Sequence, residues 1–405
     1  MNYNTYPIAD LIDEIAMGPF GSNIKVDCFV DKGIPVLNGS NLEGFELSEK
    51  SFRYVTEEKA DSLKKANAYK GDVVITHRGT LGQIVYIPQT AQRDRYVISQ
   101  SQFRVKCNKK VLPEYFVYYF HTPIGQHKLL SNASQVGVPA LARPSSTFQK
   151  IEIEIPDLET QKKVVKLIGS LQTRIKTNAE INDNLQQQAA AIFRSWFVDC
   201  VPFGGTAPDE WENVTLEGIT ALVSRGITPK YADDTDQIVI NQKCIRNHMI
   251  DLSFARSHRP KVINDKWLRF GDLLINSTGD GTLGRAAQVW FQPHNLTVDS
   301  HVTIVRPAAE NMTFYIGLWG TQHEREIESL HTGSTGQTEL PRDRVKALEL
   351  LLPDKETLNR FNALIAPMAA TIVSNQEENN RLVSIRDALL PRLMSGEIDV
   401  SAIQI

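Results

Sequence analysis

A chain of 405 residues exceeds what one hydrophobic core usually organises, so two or three domains are expected, and an apolar share of 41% is enough to fill them. A formal net charge of −3 and a pI near 6.3 exclude a protein that coats nucleic acid through an overwhelmingly basic surface, while leaving room for a local basic face. Cys28, Cys107, Cys200 and Cys244 stand far apart with no C-x-x-C pair, which points to neither a zinc knuckle nor a disulfide framework. The stretch Met1–Phe20 has no basic start followed by an apolar core, and no run reaches about eighteen apolar residues, so no membrane span and a cytoplasmic location are expected.

Residues 1–156 alternate short β-like runs with turn residues. Ile34–Leu37, Asp72–Ile75, Gln83–Ile87 and Gln102–Val105 are the runs; Gly18-Pro19, Gly33, Gly71, Gly79 and Gly82 punctuate them. One helix is predicted among them, from Pro113 to about Leu130. From Glu159 to Asp199 the period changes: Val164, Ile168, Leu171, Ile175, Asn178, Asn182, Leu185, Ala189, Ile192 and Trp196 keep an unbroken 4-3 spacing, the seam of a coiled coil. Val201-Pro202-Phe203-Gly204-Gly205 then breaks the helix.

Residues 200–353 repeat the milestones of the first segment. Gly271-Asp272 answers Gly71-Asp72, Gly281-Thr282-Leu283-Gly284 answers Gly79-Thr80-Leu81-Gly82, and Tyr315 answers Tyr115. Gly336 answers Gly137, and Leu352-Pro353-Asp354 answers Ile155-Pro156-Asp157. The seam itself returns 197 residues later at Phe361, Ile365, Met368, Ile372, Asn375, Asn379, Leu382, Arg386, Leu389 and Leu393. The chain therefore reads as a tandem repeat of about 200 residues. Its segments are a globular domain (1–156), a long helix (157–199), a second globular domain (200–353), and a second long helix with a C-terminal tail (354–405).

Each helix spans about 40 residues, about 60 Å, and cannot bury such a stripe alone. The natural partner is the other copy, in an antiparallel pair with pseudo-two-fold symmetry. The expected fold is α+β: two α/β domains separated by two long antiparallel coiled-coil helices. Asn178, Asn182, Asn375 and Asn379 read as register devices, because a shifted pairing leaves buried amides unpartnered. Pro367 is expected to kink the second helix or mark its true start, and Arg386 interrupts the stripe where its counterpart is Ala189.

Gly279-Asp280-Gly281-Thr282-Leu283-Gly284 satisfies G-x-G-x-x-G after an expected strand, which keeps a stand-alone nucleotide-binding enzyme as one alternative. Two features favour a tight turn between strands instead: Arg285–Trp290 is strand-like, and the repeat counterpart His77–Gly82 lacks the first glycine. No G-x-x-x-x-G-K-[ST] loop, H-E-x-x-H helix or Asn-Pro-Pro-aromatic tetrapeptide is present. Pro156-Asp157-Leu158-Glu159 near Lys162 and Lys163 faintly suggests a nuclease core, but it stands at a helix start, where acids cap free N–H groups.

What remains is a set of polar loop residues of the types that read base edges: arginine on guanine, asparagine or glutamine on adenine. In the first domain these are Lys25, Asn41, His77, Arg78, Gln83, Gln100, Gln102 and Arg143. In the second they are Lys230, Asn241, Gln242, Lys243, Arg246, Arg285, His301 and Arg342. Each alone is an ordinary surface residue; their clustering in corresponding loops is the signal. The loops differ between copies, as Gly18–Lys25 against Arg225–Tyr231 shows, and a shared scaffold with unlike loops suggests two binding surfaces for two targets. Residues 1–156 hold 18 basic against 16 acidic side chains and residues 200–353 hold 15 against 19, so any DNA face is local. The second alternative is a coiled-coil assembly scaffold with no DNA contact.

The order of Gly18-Pro19-Phe20-Gly21-Ser22, the two Gly-Asp strand openings and Arg225-Gly226-Ile227-Thr228-Pro229, together with the helix ends Ile192–Asp199 and Leu389–Ile398, resembles the DNA-specificity subunit of Type I restriction-modification systems. The resemblance covers essentially the whole chain. It implies two target-recognition domains, each reading half of a split double-stranded DNA sequence, and spacer helices that set the gap and dock two methyltransferase subunits. Restriction/translocase subunits complete such a complex. The resemblance also implies that this chain is non-catalytic and carries no cofactor, with S-adenosylmethionine, ATP and Mg2+ on the partners.

Overall fold

The computed structural model describes residues 3–19, 21–134, 138–233, 235–279, 281–333 and 338–400, the side chain of Ser22 aside. Phe20, Gly137, Asp280 and Gly336, which figure in the sequence patterns, lie outside the described residues. The chain forms two compact units: Met1–Ile175 with Asn380–Ile405, and Lys176–Asn379. These units cut across the four segments read from the sequence, because each globular part takes the beginning of one long helix and the end of the other into its core.

In the first unit an antiparallel sheet has the order Ile12–Met17, Gln102–Cys107, Asp72–Thr76, Ile84–Tyr86. A second sheet runs Arg53–Val55, Ile34–Val36, Arg95–Val97, Asn67–Tyr69. The predicted helix Pro113–Leu130 is two helices, Pro113–Phe120 and Pro123–Leu130. The break is chemical: Thr122 caps the second helix by accepting from the Gly125 amide, and Pro123 in its first turn has no N–H to extend the first. Tyr115 and Phe116 of the first helix are buried with Phe103 and Phe148, and Val164, Ile168, Leu390 and Leu393 of the long helices join the same core.

The second unit repeats this plan. Thr220–Arg225, Val302–Pro307, Leu273–Asn276 and Ala286–Gln288 form the first sheet, and Arg256–Ser257, Ile238–Ile240 and Leu296–Val298 the second. The helix Thr313–Gln322 packs on the first sheet, with Ala189 and Phe193 from the first long helix and Phe361, Ile365 and Ala369 from the second.

The long helices run Leu158–Phe197 and Lys355–Met394. Both begin alike: Asp157 accepts from the Thr160 amide and Asp354 from the Thr357 amide, each at 2.9 Å, which satisfies one free N–H of the first turn. The acids near Lys162 thus cap a helix. The second helix starts well before Pro367 and continues through it, so the proline does not mark its start.

Within the second unit the helices are antiparallel. Asn178 donates to Asn379 Oδ1 at 2.9 Å and to Glu378 Oε2 at 2.7 Å, while Asn375 donates to Asn182 Oδ1 at 2.8 Å. Within the first unit Arg386 occupies its seam position by donating to Gln172 Oε1 at 2.9 Å and lying 5.2 Å from the centre of the Phe45 ring. An arginine is tolerated there because its donors find an amide and its face finds a ring.

The repeated Gly-Asp opening has a structural cause. Asp272 is paired with Arg306 through two bonds of 2.8 and 2.7 Å, and Asp72 with Arg104 at 3.3 Å; all four side chains are buried. Arg306 also donates to the carbonyls of Asp265 and Trp267, and Arg104 to that of Lys65, so each guanidinium ties the preceding connection to the sheet. Burial pushes both carboxyls above their usual range, and the guanidinium beside each pulls the other way.

Candidate nucleic-acid interface

In the first unit, strands Ile12–Met17 and Asp72–Thr76 end where Ile84–Tyr86 and Gln102–Cys107 begin, so one end of the sheet gathers their loops. Gly18 donates to the Gln102 carbonyl at 2.8 Å and His77 to that of Ser101 at 2.9 Å. A Cβ at Gly18 would collide with the Ser99 carbonyl, which is why that loop begins with glycine. Burial holds the His77 imidazole below its ordinary pKa, leaving it neutral at pH 7 with Nε2 3.1 Å from the Gln100 carbonyl. Gln83 donates to the Gly39 carbonyl and accepts from Thr76, which brings a second loop to the same end. The Leu141 amide donates to the His77 carbonyl, placing Arg143, at the start of the helix Pro144–Gln149, near Arg78. Arg78, Gln100, Arg143 and Lys25 are exposed; His77 and Gln83 are half-buried.

The second unit builds the same end from other residues. Gly226 donates to the Val302 carbonyl and Ser277 to that of His301. Thr278, which the sequence reading passed over, joins Gln242 Oε1 at 3.3 Å and His301 Nδ1 at 2.8 Å. Arg285 turns back onto the Gly281 carbonyl at 2.7 Å. Arg246 stands on a hairpin, Ile245–Arg246 with Met249–Ile250, whose turn Asn247-His248 takes positive φ at both residues. Glu324 holds that turn through His248 at 3.5 Å and raises the imidazole pKa. The Arg246 guanidinium lies 4.6 Å from the Phe254 ring centre. Lys230, Lys243, Arg246, His301 and Arg342 are exposed, Arg342 beside Asp343.

Three expected readers are corrected. Asn41 is fully buried, donating to the carbonyls of Ser48 and Lys50 and accepting from the Asn38 amide, so no edge is left for a base. Gln102 is also fully buried and accepts from the Ser99 amide. Asn241 accepts from the Lys243 amide and donates to the Phe254 carbonyl, which makes it a turn residue. The strands on either side of the glycine run, Leu273–Asn276 and Ala286–Gln288, pair antiparallel, and among the described residues the run leads into a strand and not into a helix that could receive a pyrophosphate. Among the described residues, no group of three or more His, Cys, Asp or Glu side chains is arranged to hold a metal, and no helix is long and apolar enough to cross a membrane.

Comparison with known proteins finds one group of relatives. Residues 20–187 match the model of the Type I restriction modification DNA specificity domain. The MjaIX specificity subunit of Methanocaldococcus jannaschii is 24% identical across 96% of this chain and 92% of its own length. The similarity to Type I specificity subunits runs along nearly the whole chain. The HindI specificity subunit of Haemophilus influenzae is also 24% identical, over 81% of this chain and 87% of its own. The crystal structure of the specificity subunit from M. genitalium shares the fold, with a TM-score of 0.59 at 13% identity over 97% of this chain and 96% of that one. The tandem organisation of this chain is therefore that of the M. genitalium fold.

Proposed function

We propose that this chain is a Type I specificity subunit that binds double-stranded DNA directly and reads a bipartite target, one half-site per unit. One observation carries the reading: each unit presents guanidinium, amide and imidazole groups at the same end of the same sheet, built from unlike residues. A shared scaffold with different readers suits two different half-sites. On this reading the chain does no chemistry. It directs two methyltransferase subunits, which use S-adenosylmethionine, and the restriction/translocase subunits, which use ATP and Mg2+, to DNA in the cytoplasm.

The test is methylation mapping of DNA treated with the chain and its methyltransferase subunit, alongside duplex titration at several salt concentrations. Modified bases within a two-part sequence, and affinity that falls steeply as salt rises, are expected. Arg78→Ala should relax one half-site and Arg246→Ala the other, each by about 1–3 kcal/mol if the guanidinium forks onto guanine. A complex that retains no duplex, or that methylates without sequence preference, overturns the proposal.

A further inference from the structure

Two arginines outside the clusters described above occupy the same place in both units. Arg53 lies opposite Val36 in the edge strand Arg53–Val55, and Arg256 opposite Val239 in the edge strand Arg256–Ser257. Asn38 and Asn241 tie each of these strands to the adjoining polar loop. Asn38 accepts from the Ser40 amide and donates to the Ser51 carbonyl, two residues before Arg53. Asn241 accepts from the Lys243 amide and donates to the Phe254 carbonyl, two residues before Arg256.

Each guanidinium rests on an aromatic ring from the segment that leads into its sheet. Arg53 lies 5.2 Å from the Phe29 ring centre and Arg256 3.6 Å from that of Tyr231. Both arginines are exposed, and among the described residues neither guanidinium has a hydrogen-bond or ion-pair partner. A guanidinium laid on a ring keeps its charge and its in-plane donors available while its long side chain is held in one orientation.

The loops around the two positions are unlike: Lys50-Ser51-Phe52 precedes one arginine and Ser253-Phe254-Ala255 the other. Two half-sites of different sequence share no base pattern, but they share a phosphate backbone of constant charge spacing. A residue kept at one register position on two otherwise unlike surfaces suits what the two targets have in common.

We propose that Arg53 and Arg256 are matched phosphate contacts, one per unit, that hold the DNA backbone whatever the base sequence. The proposal rests on the reading of this chain as a duplex-binding subunit. Its test is the affinity of the chain in its methyltransferase complex for target and random duplexes as a function of salt, for wild type, Arg53→Gln, Arg256→Gln and the corresponding lysine variants. Each glutamine variant should bind both duplexes more weakly, with the slope of log affinity against log salt smaller by about one, and base preference should not change. The lysine variants, which keep the charge, should retain the slope. An unchanged slope in the glutamine variants, as an edge charge that merely deters strand pairing would give, overturns the proposal; so does altered preference within one half-site, which marks a base contact. Wild-type complex that binds no duplex defeats the underlying reading instead, and wild-type binding with unaffected variants defeats only this inference.

Discussion

Replacing Asn182 by alanine should destabilise the second unit by about 2–3 kcal/mol, because the amide is 5% exposed and both its ends are engaged. It accepts from Asn375 at 2.8 Å and donates to the Ile372 carbonyl at 3.3 Å, so truncation leaves the Asn375 amide without its partner on a half-buried seam. Asn375→Ala should cost about 1–3 kcal/mol for the reciprocal reason. The double alanine variant orphans neither group, so its cost should fall short of the sum by about 1–2 kcal/mol. Leucine at both positions fills the volume with apolar groups and should be nearly neutral. The assay is urea unfolding of the full chain followed by tryptophan fluorescence. Trp196, Trp211, Trp267, Trp290 and Trp319 all belong to the second unit, so the signal reports that unit. Strictly additive single variants would refute the reasoning, since independent losses mean that the two amides do not bond each other.

Asp272→Ala leaves Arg306 buried without its carboxylate and should cost about 3–5 kcal/mol in the same fluorescence transition, whereas an apolar pair, Asp272→Leu with Arg306→Met, should recover most of it. The helix caps predict a pH dependence. The Thr160 amide holds the Asp157 carboxyl, and the Thr357 hydroxyl that of Asp354, below the usual carboxylate range. Their stabilisation is then complete above the unfolded value near ~3.9 and lost as pH falls through the lower folded value. Alanine at either position should cost about 0.5–2 kcal/mol at neutral pH, while asparagine keeps a cap and should abolish that part of the acid dependence, as thermal melting across the acid range would read.

The seam and the repeat were legible because both are patterns along the chain. A 4-3 spacing states which side of a helix is apolar, and its return with both asparagines states that the helix occurs twice. The caps were legible for the same reason, since an N-cap acts within three residues. The Gly-Asp openings were legible as milestones but not as ion pairs, because Arg104 and Arg306 reach their partners across the sheet. A repeated Asp early in each domain and a repeated Arg in a later strand was the available signal. Asn41 and Gln102 were mistaken for readers because an amide side chain offers the same groups to a base edge as to a buried backbone carbonyl.

By itself the sequence determined the architecture: two copies of an α+β domain, two long amphipathic helices, and polar residues concentrated in corresponding loops. Only the tertiary structure decided which of those polar side chains face outward, which helix ends enter which core, and that Arg53 and Arg256 share one register. Local periodicity is set by neighbours a few residues away, whereas burial and hydrogen-bond partnership are set by segments that meet only when the sheets form.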